Sequence, residues 1–290
     1  VPDTAAAFTA GFSRGGAADA YESVLVPRLF TPCGIALLTR LGLNPGETLL
    51  DVACGTGIVA RLAAPVLGPT GRVIGRDLTA SMLEQARSAR LPADSAPIDY
   101  GVAPADQLDV AAETVDVVTC QQGLQFFPDA HAAVSEMRRV LRPGGRAGIA
   151  VWRRIEECPL WASSQVAAAE LLDAEAAASI NAPFAWPGEQ ALVDVLRGAG
   201  FADIVTTTHS MLMHFESGMR HALTSLVATP LGPHLAAMDA GAYESFVHAA
   251  TRALALSATP DDPVDIPART LVATARRPEA TSSAARSVPT

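Results

Sequence analysis

The stretch "LLDVACGTGIVARLA", residues 49–63, decides the fold. An apolar run ends in an acid, Asp51, a turn of small residues carries Gly55 and Gly57, and Ile58, Val59 and Leu62 then recur at helical spacing. That order reads as strand, tight loop, helix. Glycine removes the Cβ that would hold a ligand away, and the helix start presents free N–H groups, so the loop suits close approach by a nucleotide. A dinucleotide fingerprint would read G-x-G-x-x-G, whereas Ala53, Gly55 and Gly57 give A-x-G-x-G behind Asp51. A carboxylate sits poorly beside a pyrophosphate and well beside a cationic amine. The ligand that joins adenosine to an ammonium group is S-adenosylmethionine. A plain strand-to-helix turn is the bland alternative.

Working outward, "GRVIGRDL" (71–78) reads as a second strand closed by Asp77, and Thr79 or Ser81 starts the helix "SMLEQARSAR". A third strand is predicted at 97–103, a fourth at 115–120, a helix from about 129 to 141 closed by "RPGG", and a fifth strand at 146–152. Five strands with intervening helices within residues 48–152 predict a doubly wound parallel sheet, whose ligands bind at the carboxyl ends of the strands. Beyond Trp152 the rhythm breaks. Residues 153–187 read as an alanine-rich helical insertion and 188–201 as an amphipathic helix with a glycine stop. Residues 203–215 read as a sixth strand, 216–263 as a second helical insertion, and 264–277, centred on "RTLVATARR", as the last strand. Upstream, residues 1–47 form a helical cap in which Pro27 and Pro32 are expected to split 17–42 into two short helices. The segment 278–290 is expected to be disordered.

Composition bounds the function. Apolar residues make up 49% of the 290, without an unbroken apolar run of about 18, and the first residues lack the basic start of a signal peptide, so a cytoplasmic protein with no membrane segment is expected. The formal charge of −9 and the absence of basic runs argue against nucleic-acid binding. All 21 basic residues are arginine, which excludes Schiff-base chemistry and a P-loop lysine. Cys33, Cys54, Cys120 and Cys158 are widely spaced, which argues against a zinc site or a disulfide framework, and no metal is expected. The expected partner is a small hydrophobic molecule, with a homodimer left open.

Asp77 lies 20 positions after Gly57, the spacing at which a carboxylate reaches an adenosine ribose and accepts from both hydroxyls. An acid favoured by a helix N-terminus is the alternative. Leu78 and Met82 would then pack on the adenine face.

The segments "LLDVACGTG", "VIGRDLTASMLEQAR", "VDVVTCQQGLQFFPD" and "EMRRVLRPGGRAGIAVW" occur in that order over residues 48–152, and "PFAWPGEQALVDVLRGAGF" follows to 201. Together they resemble the class I S-adenosylmethionine-dependent methyltransferases, within them the bacterial group similar to ubiquinone and menaquinone C-methyltransferases. The resemblance implies a Rossmann-like seven-stranded α/β sheet of order 3-2-1-4-5-7-6, the last strand antiparallel, with helical lid insertions. It implies that Asp51, Ala53, Cys54, Gly55, Thr56 and Gly57 line the methionine moiety and that Asp77 holds the ribose. The turn Pro104, Ala105 and Asp106 would hold the adenine, and Gln121, Gln122 and Phe126 would lie near the methionine carboxylate or the methyl group. The chain departs from the pattern at the adenine turn. Where "ADAEALP" is usual it reads "APADQLD", so Pro104 replaces an acid and leaves the contact to the Ala105 N–H or Asp106.

Methyl transfer is an in-line displacement for which a protein supplies alignment, desolvation and, for a phenol or enol, removal of a proton. His131 and His214 are the candidate bases on the ligand side of such a sheet. Tyr21, in "DAYESVLVP", matches an aromatic that in relatives closes over the cofactor, which makes it a catalytic and acceptor-pocket candidate. Gln125, Trp152 and His214 complete the expected acceptor pocket. Trp161, Trp186, Phe215 and the methionines of "HSMLMHF" fit either an aromatic chamber or a packed lid core. The function these readings point to is methyl transfer, at oxygen or carbon, to a natural-product, polyketide or quinone-like metabolite. A cyclase or isomerase that keeps the pocket without the transfer, a noncatalytic binding protein and a nicotinamide dehydrogenase are the alternatives. The missing third glycine and Asp51 count against the last.

Overall fold

The computed structural model describes residues 21–229, 231–254 and 259–279. The expectations for residues 1–20 and 280–290 lie outside the described residues. Seven strands form one sheet of order β3-β2-β1-β4-β5-β7-β6, with β1 (Thr48–Val52), β2 (Arg72–Asp77), β3 (Ile98–Val102), β4 (Val115–Gln121), β5 (Leu141–Trp152), β6 (Ala202–Phe215) and β7 (Val264–Arg276). The first five pair in parallel, and β7 runs antiparallel between β5 and β6.

Side-chain alternation along β1 sorts the core into two layers. Leu49 packs with α1 (Thr31–Leu41) and α2 (Ile58–Leu67) on one face, and Leu50 packs with α4 (Ala130–Val140) and α7 (Glu189–Gly198) on the other. The remaining core helix, α3 (Ala80–Ser88), follows Asp77 directly. A third buried cluster caps the strand ends. It joins residues before α1 to α5 (Pro159–Leu171), α6 (Ala174–Ser179), α8 (Gly218–Thr224), α9 (Gly232–Ala236), α10 (Ala240–Ala253) and the facing ends of β6 and β7. The two expected insertions thus pack as one lid.

Two expectations change. Pro27 does not break the cap: residues Tyr21–Phe30 wind as a π-helix that runs straight into α1. The wider winding accommodates a ring that would strike the preceding turn of an α-helix, and Pro32 falls in the first turn of α1, where an N–H is dispensable. By length and composition the resulting helix, 21–41, is long and apolar enough to cross a membrane, and half of it is buried inside the protein. Strand β5 also starts earlier than the alternation indicates, at Leu141. "RPGG" is absorbed where the register slips between Val115 opposite Leu141 and Val117 opposite Arg146.

Candidate cofactor and acceptor site

The loop between β1 and α2 is held in left-handed backbone, with φ of 55° at Ala53, 54° at Gly55 and 82° at Gly57. The two glycines do different work. A Cβ on Gly55 would point into space whose nearest occupant is the Tyr21 hydroxyl, at 3.9 Å, so this glycine keeps a cleft open. A Cβ on Gly57 would run into the Tyr100 ring, 2.9 Å from Cζ, and into Ala86, so that glycine makes room for a core side chain. Gly75, paired with Tyr100 across β2 and β3, does the same, its Cβ position lying 2.5 Å from the ring.

Asp77 ends β2 facing the loop. The Gly55 N–H donates to Oδ2 and the Thr79 N–H to Oδ1, both at 2.8 Å, which fixes the carboxylate. Burial raises its pKa, and hydrogen bonds from the Thr79, Gly55 and Leu78 amides and the Thr79 side chain oppose that rise. Asp51 lies deeper, 1% exposed, with the Thr119 hydroxyl donating to Oδ1 at 2.8 Å and Oδ2 buried without a partner. Burial, with the nearby Asp77 charge adding, pushes its carboxyl up to about 7. The buried Thr56 hydroxyl also lacks a partner. Unpaired buried acceptors beside an open glycine cleft fit a ligand that brings its own ammonium and hydroxyl donors.

At the ends of β2 and β3, Asp77 pairs in register with Val102. Leu78 and Val102 are 60% and 57% exposed, an apolar surface that suits a purine face. Next to it, the Ala103 N–H donates to the Asp77 carbonyl and the Gln107 N–H to the Pro104 carbonyl, each at 3.2 Å, which shapes the turn carrying Ala105 and the exposed Pro104 and Asp106. Sequence reading missed Arg76. Its buried guanidinium bonds Asp109 at 2.6 Å, Asp99 at 3.2 Å and the Gly75 and Asp99 carbonyls, fastening this turn to β2. The signal was present as a basic residue inside a strand next to a site acid.

The cap covers the loop. The Tyr21 hydroxyl reaches Gly55, and its pKa is raised by burial first and by the charges of Asp77 and neighbouring acids next. Its ring stacks on Phe30 with centroids 4.8 Å apart. From Phe30 the aromatic contacts run on to Trp152 at 6.0 Å and to Trp161 and Phe184 in the lid. Met82, expected on the adenine, is buried in the cluster that includes Leu25, Val26 and Leu29 of the cap. Glu22 and Arg61 of α2, neither singled out by the sequence, form an ion pair at 2.6 Å.

The glutamines after β4 divide. Gln121 donates to the Phe30 carbonyl at 3.1 Å and so ties the cap to β4. Gln122, at φ 51°, donates to the Thr270 hydroxyl at 2.9 Å, linking β4 to β7. Both carboxamide atoms of Gln125 are buried without partners, and Phe126 follows it in the same short turn. Cys54 supplies loop backbone, its N–H donating to the Arg76 carbonyl and its carbonyl accepting from Gly57. The structure does not bring the two histidines to this cluster. His131 is exposed on α4 with its ring against Gly198 of α7. His214 is 58% exposed on its side chain, pairs with Asp265 at 2.8 Å, and meets the cap only through its carbonyl, which accepts from Arg28.

Residues 50–149 match a family model described as a methyltransferase domain. Over 191 residues the chain is 32% identical to the nocamycin O-methyltransferase of Saccharothrix syringae, covering 60% of this chain and 66% of that protein. Over 124 residues it is 34% identical to a ubiquinone/menaquinone biosynthesis C-methyltransferase of Cupriavidus taiwanensis, covering 41% of this chain and 51% of that one. The chain therefore spans half to two thirds of these relatives. Its fold superposes with a TM-score of 0.58 on phosphoethanolamine N-methyltransferase 2 of Haemonchus contortus, solved with phosphomonomethylethanolamine and S-adenosylhomocysteine, at 20% identity over 90% of this chain and 57% of that one.

Proposed function

We propose that the chain is an S-adenosylmethionine-dependent methyltransferase that transfers a methyl group to a small hydrophobic acceptor held between the glycine loop and the helical lid, a reading supported by the methyltransferase-domain match and the O-methyltransferase relative. The observation that carries this reading is the pair of carboxylates at the first two strand ends. Asp77 is fixed by loop amides at the strand end, where it would meet a ribose diol, and Asp51 has an unpaired buried oxygen for an ammonium.

The bound cofactor supplies a methyl group on a sulfonium, already a good leaving group, and the chain supplies the rest. Asp77 orients the nucleoside, and the 103–107 turn with Leu78 and Val102 receives the base. Tyr21 and the cap shut water out above Gly55, where desolvation strengthens every polar contact. The raised pKa of Tyr21 keeps its phenol protonated, so its chemistry is donation and shielding, not proton removal. The aromatic series Phe30, Trp152, Trp161 and Phe184 favours a flat apolar acceptor, with Gln125 as a neutral polar contact. The O-methyltransferase and quinone-pathway relatives support an oxygen or carbon acceptor on a natural-product or quinone-like ring.

The test is twofold. Calorimetry should show S-adenosylmethionine binding, and methyl-labelled cofactor incubated with polyketide and quinol acceptors should give products heavier by the labelled methyl. Turnover to a product of unchanged mass would replace transfer by a cyclase or isomerase reaction.

A further inference from the structure

The cleft has an acceptor for an ammonium, and among the described residues the guanidiniums near the loop are already engaged, leaving open which would meet the carboxylate that accompanies it on an amino acid. Two guanidiniums lie near the loop. Arg76 has its Nε, Nη1 and Nη2 all committed to Asp109, Asp99 and two carbonyls. Arg61, in the first turn of α2, bonds Glu22 through Nη2, and its Nε is buried without a partner. Glu22 matches it, with Oε1 on Arg61 and Oε2 buried without a partner. Arg61 lies four positions after Gly57, on the first turn of the helix that the loop leads into, which sets the pair at the helix end of the loop. Tyr21, the neighbour of Glu22, reaches Gly55. The start of the cap thus sets a phenol over Gly55 and a carboxylate on the first turn of α2.

We propose that Arg61 is the binding residue for the α-carboxylate of the cofactor and that Glu22 is a built-in stand-in for it, holding Arg61 until the cofactor takes its place. This rests on the cofactor reading above. The exchange trades one carboxylate for another on the same guanidinium, so Arg61 stays paired in a half-buried site, where an unpaired cation is costly.

S-adenosylmethionine and its decarboxylated form differ only in that carboxylate, so the pair of ligands isolates it. Both are titrated calorimetrically into the wild type, Arg61→Gln and Glu22→Gln. Arg61→Gln should weaken S-adenosylmethionine at least tenfold and change the decarboxylated ligand less than twofold. Glu22→Gln should tighten S-adenosylmethionine severalfold, by removing its competitor, and again leave the decarboxylated ligand nearly unchanged. Equal loss of both ligands in Arg61→Gln, an unaltered affinity there, or equal gain of both in Glu22→Gln would each overturn the assignment while leaving the cofactor reading intact. A wild type that binds neither ligand would remove both.

Discussion

Replacing Asp51 by Asn should make the protein more stable and a worse cofactor binder, with the stability gain growing with pH. The carboxyl is 1% exposed, and burial raises it from an ordinary 3.8 to about 7. That rise of about three units corresponds to about 4 kcal/mol at 1.36 kcal/mol per unit. The sign follows from which state binds the proton. Below about pH 4 both folded and unfolded chains hold it, and ionisation costs the fold nothing. Between about 4 and 7 the unfolded carboxyl ionises while the folded one stays neutral, so stability falls as pH rises, and above 7 the full cost is present. Asn carries no charge at any of these values. Urea unfolding of both proteins at pH 5 and pH 8 should therefore show the stability difference moving in favour of Asp51→Asn by about 2–3 kcal/mol. Other titrating groups cancel in the comparison. The lost carboxylate would have paired with the cofactor ammonium, so S-adenosylmethionine affinity should fall in the same variant. A difference that does not change with pH would refute both the buried ionisation and its proposed use.

Asp77→Ala should keep the fold and weaken S-adenosylmethionine by about 1.5–3 kcal/mol in calorimetry, the range for hydrogen bonds to a charged group. Gly57→Ala should lower the unfolding free energy by about 2–5 kcal/mol in urea, combining left-handed backbone at φ 82° with overpacking against Tyr100. Tyr100→Phe removes an unpaired buried hydroxyl, so it should be neutral or stabilising alone and should recover part of that loss in the double variant. Tyr21→Ala should lower turnover more than melting temperature, and cofactor should protect residues 21–30 from hydrogen exchange in the wild type. Normal turnover per folded molecule and no protection would make Tyr21 a packing residue.

The α/β sheet was legible because its information is local. Each strand end carries an acid, a glycine or a cap within a few residues of an apolar run, and the order of those signals gives the topology. The positions of Asp51, Gly55 and Asp77 in the fold were legible for the same reason, since they depend on strand ends that the sequence marks. The role of Gly57 was not, because it is set by Tyr100, 43 positions away on another strand. Arg61 and Glu22 were likewise hidden, because their meeting depends on where the cap lies across α2. His131 and His214 were candidates through the end of the element they occupy. Strand and helix periodicity fixes the end but not the outward tilt that leaves both exposed. Pro27 misled because the usual rule assumes α-winding, and a π-turn relaxes it.

The cap has a further consequence for how the molecule is made. The Arg28 side chain bonds the carbonyl of His214, 186 positions later, and the buried face of this apolar helix packs against the ends of β6 and β7. At a synthesis rate of about 5–20 residues per second, the helix waits on the order of 10 to 40 seconds for its cover to be translated. The sheet around β1, β2 and β4 is complete well before that. During this interval the nascent chain holds an exposed greasy segment near one end and a finished nucleotide fold beside it. Ribosome-associated chaperones therefore have a defined stretch to shield, and cutting translation short before β7 should yield a chain that aggregates through residues 21–30.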